Sequence, residues 1–352
     1  MRLLILSRYD RLGSSSRLRI FQYLPYLQAS GFELTVSPLF GDDYVTGLYA
    51  GRVSVYKVFR SYLRRLYWML QARHFDLVWV EKEFLPWLPA WLERRLLASD
   101  IPWVVDYDDA VFHRYDQHRS SLVRCALGKK IDAVMRHANL VLAGNGYLAE
   151  RAAQAGAKRV ELLPTVVDIS RYRTAIETSH QTVTIGWIGS PATAKFLHLI
   201  APALHAVAAK RDVRIVTVGA NADQVHSLPI KTHEWTEATE VAEIQQFDIG
   251  IMPLPDEPFE RGKCGYKLIQ CMACGKAVVA SPVGVNSMIV RDGIDGFLAS
   301  TNPEWVVALT KLIDAVELRN QMGLSGRSRV EQGYSLQKAA PRFAELLKSC
   351  LK

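Results

Sequence analysis

Short apolar runs of four to six residues, each paired with an amphipathic helical pattern, recur along this chain, and the series starts twice. In the first series residues 3–6, 32–37, 77–80, 103–106 and 140–143 read as strands, with a helix beginning near Arg17 after the loop Gly13-Ser14-Ser15-Ser16. In the second, residues 183–188, 214–218, 249–252 and 277–280 do, with helices expected over 192–210 and 266–274. Strands too apolar to keep one wet face, separated by helices, pair in parallel and are covered on both faces. The restart at Gly186-Trp187-Ile188-Gly189, a fresh strand–glycine–helix unit, implies two Rossmann-like halves rather than one barrel. A length of 352 residues fits two domains. A polar, poorly periodic stretch at 168–181 is the expected linker, giving an N-terminal domain at 1–170, a C-terminal domain at 171–334 and a final helix at 335–352 that returns towards the first domain. In such sheets ligands bind beyond the carboxyl ends of the strands, so two sheets facing each other imply a site in the cleft between them.

Composition removes several classes. Hydrophobic residues at 49% and charged residues at 22% exclude disorder and fibrous repeats. The opening MRLLILSRYDRLG reads as a buried strand rather than a signal peptide, and no uninterrupted apolar run reaches the ~20 residues of a membrane span. Five cysteines make no disulfide framework, which fits a reducing cytosol. The net charge of +8 suits an anionic partner. It is concentrated: no acidic residue occurs between Asp43 and Asp76, whereas Arg52, Lys57, Arg60, Arg64, Arg65 and Arg73 do. Within residues 53–71, Val55, Phe59, Tyr62, Leu63, Leu66, Tyr67 and Leu70 fall at helical spacing with basic side chains opposite. That composition suits a helix on an anionic membrane and equally a domain-covering helix with a solvated basic face. No nucleic-acid-binding module is visible.

Residues 259–281 carry the densest chemistry. Gly262, Lys263, Cys264, Gly265, Tyr266 and Lys267 put two glycines and two lysines at a helix start, where free N–H groups favour an anion. Gly275 ends that helix before a Val-rich strand. Cys264, Cys271 and Cys274 lack a second C-x-x-C or paired histidines and read as buried thiols rather than a zinc site. Asp106, Asp108 and Asp109 follow a strand directly, and three carboxylates so close repel, so at least one is protonated, paired with an arginine or metal-bound, with Arg8, Arg17 and Arg19 as the candidate partners.

The stretch 259–281 resembles the donor-site segment of the family 4 glycosyltransferases of GT-B fold, which move sugars from nucleoside diphosphates with retention of configuration. The likeness extends along the chain: Gly13-Ser14-Ser15 at the acceptor-side loop, Gly144-Asn145 to Asp168 at the end of the first domain, Gly189-Ser190 opening the second, and Asp292-Gly293-Ile294-Asp295-Gly296-Phe297-Leu298 as a "DGxxGxL" turn. The resemblance implies an α/β GT-B protein transferring a hexose from a nucleotide sugar to a glycan or lipid-linked acceptor, as in cell-envelope polysaccharide synthesis. It implies a cytoplasmic enzyme at the inner face of the membrane, with no cofactor and no metal. Of the family's two glutamates, one position holds Gly262 and the other Gln270, so Glu260 is the substitute sugar reader and Gln270 the ribose ligand. The arginine of the diphosphate pair is Ser190, the lysine is retained as Lys195, and Lys263 is the candidate for the missing charge. Asp108 occupies the reactive-site histidine position, with Gly13, Ser14, Arg17, Asp106 and Asp109 on the acceptor side. His233 and Trp235 fall where the nucleotide base is contacted. A second reading, a catalytically silent nucleotide-sugar binder or scaffold, follows from the absent first glutamate.

Overall fold

The computed structural model describes residues 1–96, 101–174 and 182–351, so the latter half of the expected linker lies outside the described residues. The chain divides into two compact units. The first comprises Met1–Thr165, Gly262–Cys264 and Ala339–Lys352; the second comprises Val166–Arg261 and Gly265–Lys338.

The first unit holds a parallel sheet of β1 (Arg2–Leu6), β2 (Glu33–Val36), β3 (Leu77–Glu81), β4 (Trp103–Tyr107), β5 (Leu140–Ala143) and β6 (Val160–Leu162), in the order β2-β1-β3-β4-β5-β6. Leu3 to Leu6 and Leu77 to Val80 have no solvent exposure, as strands covered on both faces require. Because the connection from β1 runs to β2 on one side and that from β3 to β4 on the other, a crevice opens between the carboxyl ends of β1 and β3. The first helix starts at Ser14 rather than near Arg17. Gly13 caps it because a β-carbon there would lie 2.2 Å from the Tyr9 Cβ. Phe343, on the last helix (Leu336–Ser349), packs edge-on against Tyr23 and Trp79 at 5.1 and 4.7 Å.

The 53–71 pattern forms the helix Val55–Gln71, capped by Ser54. Its charge pattern misleads at one position. Arg65 is 1% exposed and donates to the carbonyls of Ser7 and Phe84, so it is a structural residue and not part of a basic surface.

The second unit holds β7 (Val183–Ile188), β8 (Val213–Val218), β9 (Lys231–His233), β10 (Ile249–Met252), β11 (Ala277–Ala280) and β12 (Gly296–Leu298), in the order β12-β11-β10-β7-β8-β9. This is the doubly wound Rossmann order, with its switch point between β7 and β10. Each face of the sheet carries its own core, one around Phe247, Met252, Leu268 and Met272, the other around Trp187, Leu204, Val279 and Trp305. The helix expected over 192–210 is broken into Pro191–Ala194, a 3-10 stretch Lys195–Ile200, and Ala201–Lys210. Pro202 in the first turn of the last piece has no N–H to continue a helix from before it. The whole stretch Pro191–Lys210 is apolar enough, by length and composition, to cross a membrane, yet Leu197, Ile200, Leu204 and Val207 lie in the core on one sheet face.

Candidate functional site

At the carboxyl ends of β1, β3 and β4 the first unit gathers a polar cluster. The helix that follows β1, starting at Ser14, brings Ser15 and Ser16, β3 ends in Glu81 with Lys82 directly after it, and β4 runs into Asp108 and Asp109. The Lys82 ammonium lies 2.9 Å from Asp108 Oδ1 and 3.9 Å from Asp109 Oδ2, and it donates to Ser15 Oγ at 2.9 Å. The Ser15 hydroxyl sits 2.6 Å from Asp108 Oδ2 and 2.8 Å from Glu81 Oε1, and its one proton serves either carboxylate. Glu81 is fixed from its other oxygen, which accepts from Ser16 Oγ at 2.6 Å and from the Arg8 amide at 2.8 Å.

Lys82 has φ 67°, a left-handed conformation rarely adopted outside glycine. Backbone strain of this kind persists only where surrounding structure enforces it, and it concentrates at functional sites. Here it turns a lysine at the end of a buried strand back over the carboxylates. Burial works against the charge on Asp108, but the Lys82 ammonium and the Ser15 hydrogen bond outweigh it and hold the carboxyl below its ordinary range. Burial likewise opposes the charge on Lys82, and Asp108, Asp109 and Glu81 outweigh it. Both shifts describe one buried ion pair, charged at neutral pH.

Of the proposed arginine partners, Arg19 takes Asp106 in a bidentate pair at 2.9 and 3.1 Å and also donates to the Leu163 carbonyl at 2.8 Å. Asp106 is therefore a buried structural carboxylate, 1% exposed, and does not stand with Asp108. Arg8 pairs with Glu83 at 2.8 Å instead, inside a network that also includes Lys130. Arg17 is buried and donates to the Arg11 carbonyl at 3.3 Å. Ser14 is exposed at the helix start, while Ser15 and Ser16 turn inwards.

The Gly262–Cys264 loop belongs to the same unit. Asn145 donates to the carbonyls of Gly262 and Lys263 at 2.9 and 3.0 Å, while its Oδ1 caps the helix Gly146–Gln154 through the Leu148 amide. This places the Lys263 ammonium 3.6 Å from Asp109 Oδ1. Cys264 is buried, donates to the Asp108 carbonyl at 3.1 Å, and is pushed up to about 12 by burial, so it is an inert packing thiol. Burial raises Cys271 and Cys274 in the same way. Among the described residues no three His, Cys, Asp or Glu side chains are placed to hold a metal ion. Gly262 has a packing reason: a β-carbon there would lie 2.5 Å from the Ala110 Cβ and 2.7 Å from its amide nitrogen.

In the second unit Gly189 and Ser190 follow β7 at the switch point. The Lys267 side chain comes to this turn: a β-carbon on Gly189 would meet its Cε at 2.5 Å, and its ammonium lies 5.3 Å from the centre of the Trp187 ring. Lys195 is exposed one turn further on, its ammonium over Phe196 at 5.2 Å. Gly265 takes φ 64° and caps the helix Tyr266–Ala273, whose first amides are unpaired within the helix. A side chain at Gly265 would also strike Ile289 at 2.3 Å. Gln270 is buried, and its amide donates to Tyr172 Oη at 2.8 Å; that phenol in turn donates to Glu240 at 2.9 Å and lies 3.2 Å from the Tyr266 hydroxyl. Gln270 is thus already held by Tyr172. Glu260 is 8% exposed on the short helix Pro258–Arg261. Trp235 donates to Glu240 at 3.2 Å and flanks Gly219 at the end of β8.

Sequence reasoning located Asp108, Asp109 and Lys263 but missed Lys82, Glu81 and the inward role of Ser15. The available signal was Glu81-Lys82-Glu83, three charges directly after a fully apolar strand.

Residues 182–315 match the family described as Glycosyl transferases group 1. An uncharacterized glycosyltransferase of Methanocaldococcus jannaschii, MJ1069, is 30% identical over 90 residues, 25% of this chain and 23% of that protein, so the chain matches about a quarter of that relative's length. Among solved structures, HepE of Anabaena in complex with UDP-glucose superposes with a TM-score of 0.73 at 18% identity, covering 99% of this chain and 100% of that one. Sucrose-phosphate synthase of Thermosynechococcus elongatus does so with a TM-score of 0.75 at 14% identity, covering 99% of each. The protein therefore has the α/β, two-domain GT-B fold expected from its sequence, and the group 1 match falls in its second half.

Proposed function

We propose that this protein is a retaining glycosyltransferase that moves a hexose from a nucleoside diphosphate sugar to a hydroxyl of a glycan or lipid-linked acceptor, in cell-envelope polysaccharide synthesis on the cytoplasmic side. The observation that carries the reading is the strained, ion-paired cluster of Ser15, Lys82 and Asp108 at the switch point of the first sheet. The group 1 match in the second half and the likeness to a UDP-glucose-bound structure support a nucleotide-sugar donor.

The donor's diphosphate would be met by Gly189, Ser190, Lys195 and Lys267, and by the amides that Gly265 leaves at the start of the helix beginning with Tyr266. Lys263 would add positive charge as the diphosphate departs. Such charge, fixed before the reaction, is worth most when aimed at the group that becomes more negative. Asp108, kept ionised by Lys82, is an acceptor for the incoming hydroxyl or a counter-charge for a sugar turning cationic, and Asp109 stands beside it. Glu260 remains the candidate sugar reader.

Gly262 favours the second reading, a silent binder, because its packing on Ala110 leaves no room for the glutamate that reads the sugar in the resembled family. One experiment separates the two. Incubation with a panel of nucleoside diphosphate sugars and lipid-linked or oligosaccharide acceptors, followed by NMR of the product's anomeric centre, should show acceptor-dependent release of nucleoside diphosphate with configuration retained. Binding without release from any donor would establish the silent reading, and an inverted product would remove retention.

A further inference from the structure

The helix Val55–Gln71 presents three faces rather than two. At ~100° per residue, Arg65, Met69, Tyr62 and Leu66 turn towards the body of the first unit. Val55, Tyr56, Phe59, Leu63, Tyr67 and Leu70 occupy a neighbouring arc of about 120° and are between 50 and 82% exposed. Lys57, Arg60 and Arg64 form the third face, beside the exposed apolar one. Six large apolar side chains in one contiguous stripe are more than a monomer's surface leaves bare without a partner.

The helix is not loosely held. Arg65 donates to the carbonyls of Ser7 and Phe84, Arg64 to those of Pro38 and Leu39 at 2.8 and 3.0 Å, and Tyr62 Oη to that of Pro86 at 2.7 Å. The last contact brings the 86–91 segment alongside, with Trp87 49% and Trp91 56% exposed. The apolar stripe is therefore a fixed surface feature, bordered by basic side chains on one edge and by a tryptophan-bearing loop on the other.

We propose that this face docks the protein on an anionic lipid bilayer, the helix lying in the plane of the surface. Its 17 residues span ~25 Å. The apolar arc would enter the boundary between headgroups and acyl chains, the basic ridge would meet lipid phosphates, and the tryptophans would sit at the interface that their half-apolar rings favour. Charge decides against the main competitor, a second copy of this chain. A two-fold contact sets each patch against itself, and even with Lys57 paired to Asp43 at 2.6 Å each ridge keeps the charges of Arg60 and Arg64, so two facing ridges would repel. The inference does not depend on the catalytic reading.

Cosedimentation with vesicles of phosphatidylcholine, alone or with about one third phosphatidylglycerol, at low and high salt, tests it. The expected result is binding to the anionic vesicles only, weakened by salt, by a protein monomeric in their absence. Arg60→Ser, which leaves the anchoring Arg64 in place, should lower the partition coefficient about fivefold. Phe59→Ser, Leu63→Ser and Tyr67→Ser together should abolish binding while circular dichroism and turnover of a soluble acceptor stay unchanged. Should the triple variant unfold, Leu63→Glu alone carries the same expectation. Equal, salt-independent binding to neutral vesicles overturns the proposal, as does binding to neither. So does a lipid-free dimer that the triple variant converts to monomer, which would give the face to a second copy.

Discussion

Lys82 couples a backbone conformation to a charge state. Replacing it with methionine keeps the stem and removes the ammonium, so Asp108 retains its burial and loses its largest compensating charge. The carboxyl should then titrate higher, and the acid limb of kcat/KM should move to higher pH with a lower plateau. Lys82→Arg should restore part of the limb position. An unmoved limb in Lys82→Met would show that Lys82 does not set the charge of Asp108. The two aspartates flanking Tyr107 should fail differently. Asp106→Asn leaves Arg19 buried without a counter-charge and should cost ~3–5 kcal/mol of stability, read as a lower denaturation midpoint. Asp108→Asn leaves the Lys82 ammonium facing Glu81 and Asp109 at 3.8 and 3.9 Å, so it should keep the fold and lose turnover, on the order of 100-fold if its charge acts only in the transition state. If Asp108→Asn turns over normally while Asp106→Asn is as stable as wild type, the division of labour between them is wrong. A third residue is fixed by space alone. Gly262→Ala drives a methyl into Ala110 and should cost ~1–3 kcal/mol of stability, and Gly262→Glu should fail to supply a sugar reader for the same reason.

Among elements, legibility followed burial and length. β5, β7, β10 and β11 run over the residues expected from their apolar patterns, because central parallel strands have no polar face to interrupt the run. β6, β9 and β12 were not foreseen: each has three residues and closes a sheet edge, too short to show any period. The break before Ala201 was written in Pro202, but the apolar spacing on both sides concealed it. Arg65 was misread because a helical wheel records where an arginine points and not what waits there, in this case the backbone carbonyls of Ser7 and Phe84. Asn145 shows one side chain serving two elements, the helix Gly146–Gln154 and the Gly262–Cys264 loop. Loss of a helix cap alone costs ~1 kcal/mol; Asn145→Ala also strips two loop carbonyls of their donor. It should therefore destabilise by roughly twice a simple cap loss, and, with Lys263 no longer anchored, raise the KM for donor. Asn145→Asp keeps the cap and loses the amide donor, so a stable variant with impaired donor use would separate the two roles.

At the scale of the whole molecule, the sequence disclosed the second unit's glycine-rich turn and helix start more readily than the first unit's cluster. Gly189-Ser190 and Gly265-Tyr266-Lys267 are contiguous motifs, whereas Ser15, Lys82 and Asp108 come from a helix start and two strand ends that only the order β2-β1-β3-β4 brings together. The same division predicts how binding and turnover separate. If the second unit's lysines and helix start hold the diphosphate, a nucleoside diphosphate should raise the unfolding temperature and the matching nucleoside should not. Saturation at roughly 100-fold over Kd stabilises by about 2.7 kcal/mol through mass action. Lys267→Ala removes the ammonium beside Gly189 and should lose most of that shift. Lys82→Met, which disables the carboxylate cluster, should leave the shift intact while turnover falls. Monophosphate and diphosphate shifting the transition equally would mean that the second phosphate has no partner, and the assignment of Lys195, Lys263 and Lys267 to the leaving group would go with it. A nucleotide shift lost in Lys82→Met but kept in Lys267→Ala would move donor recognition to the first unit's cluster.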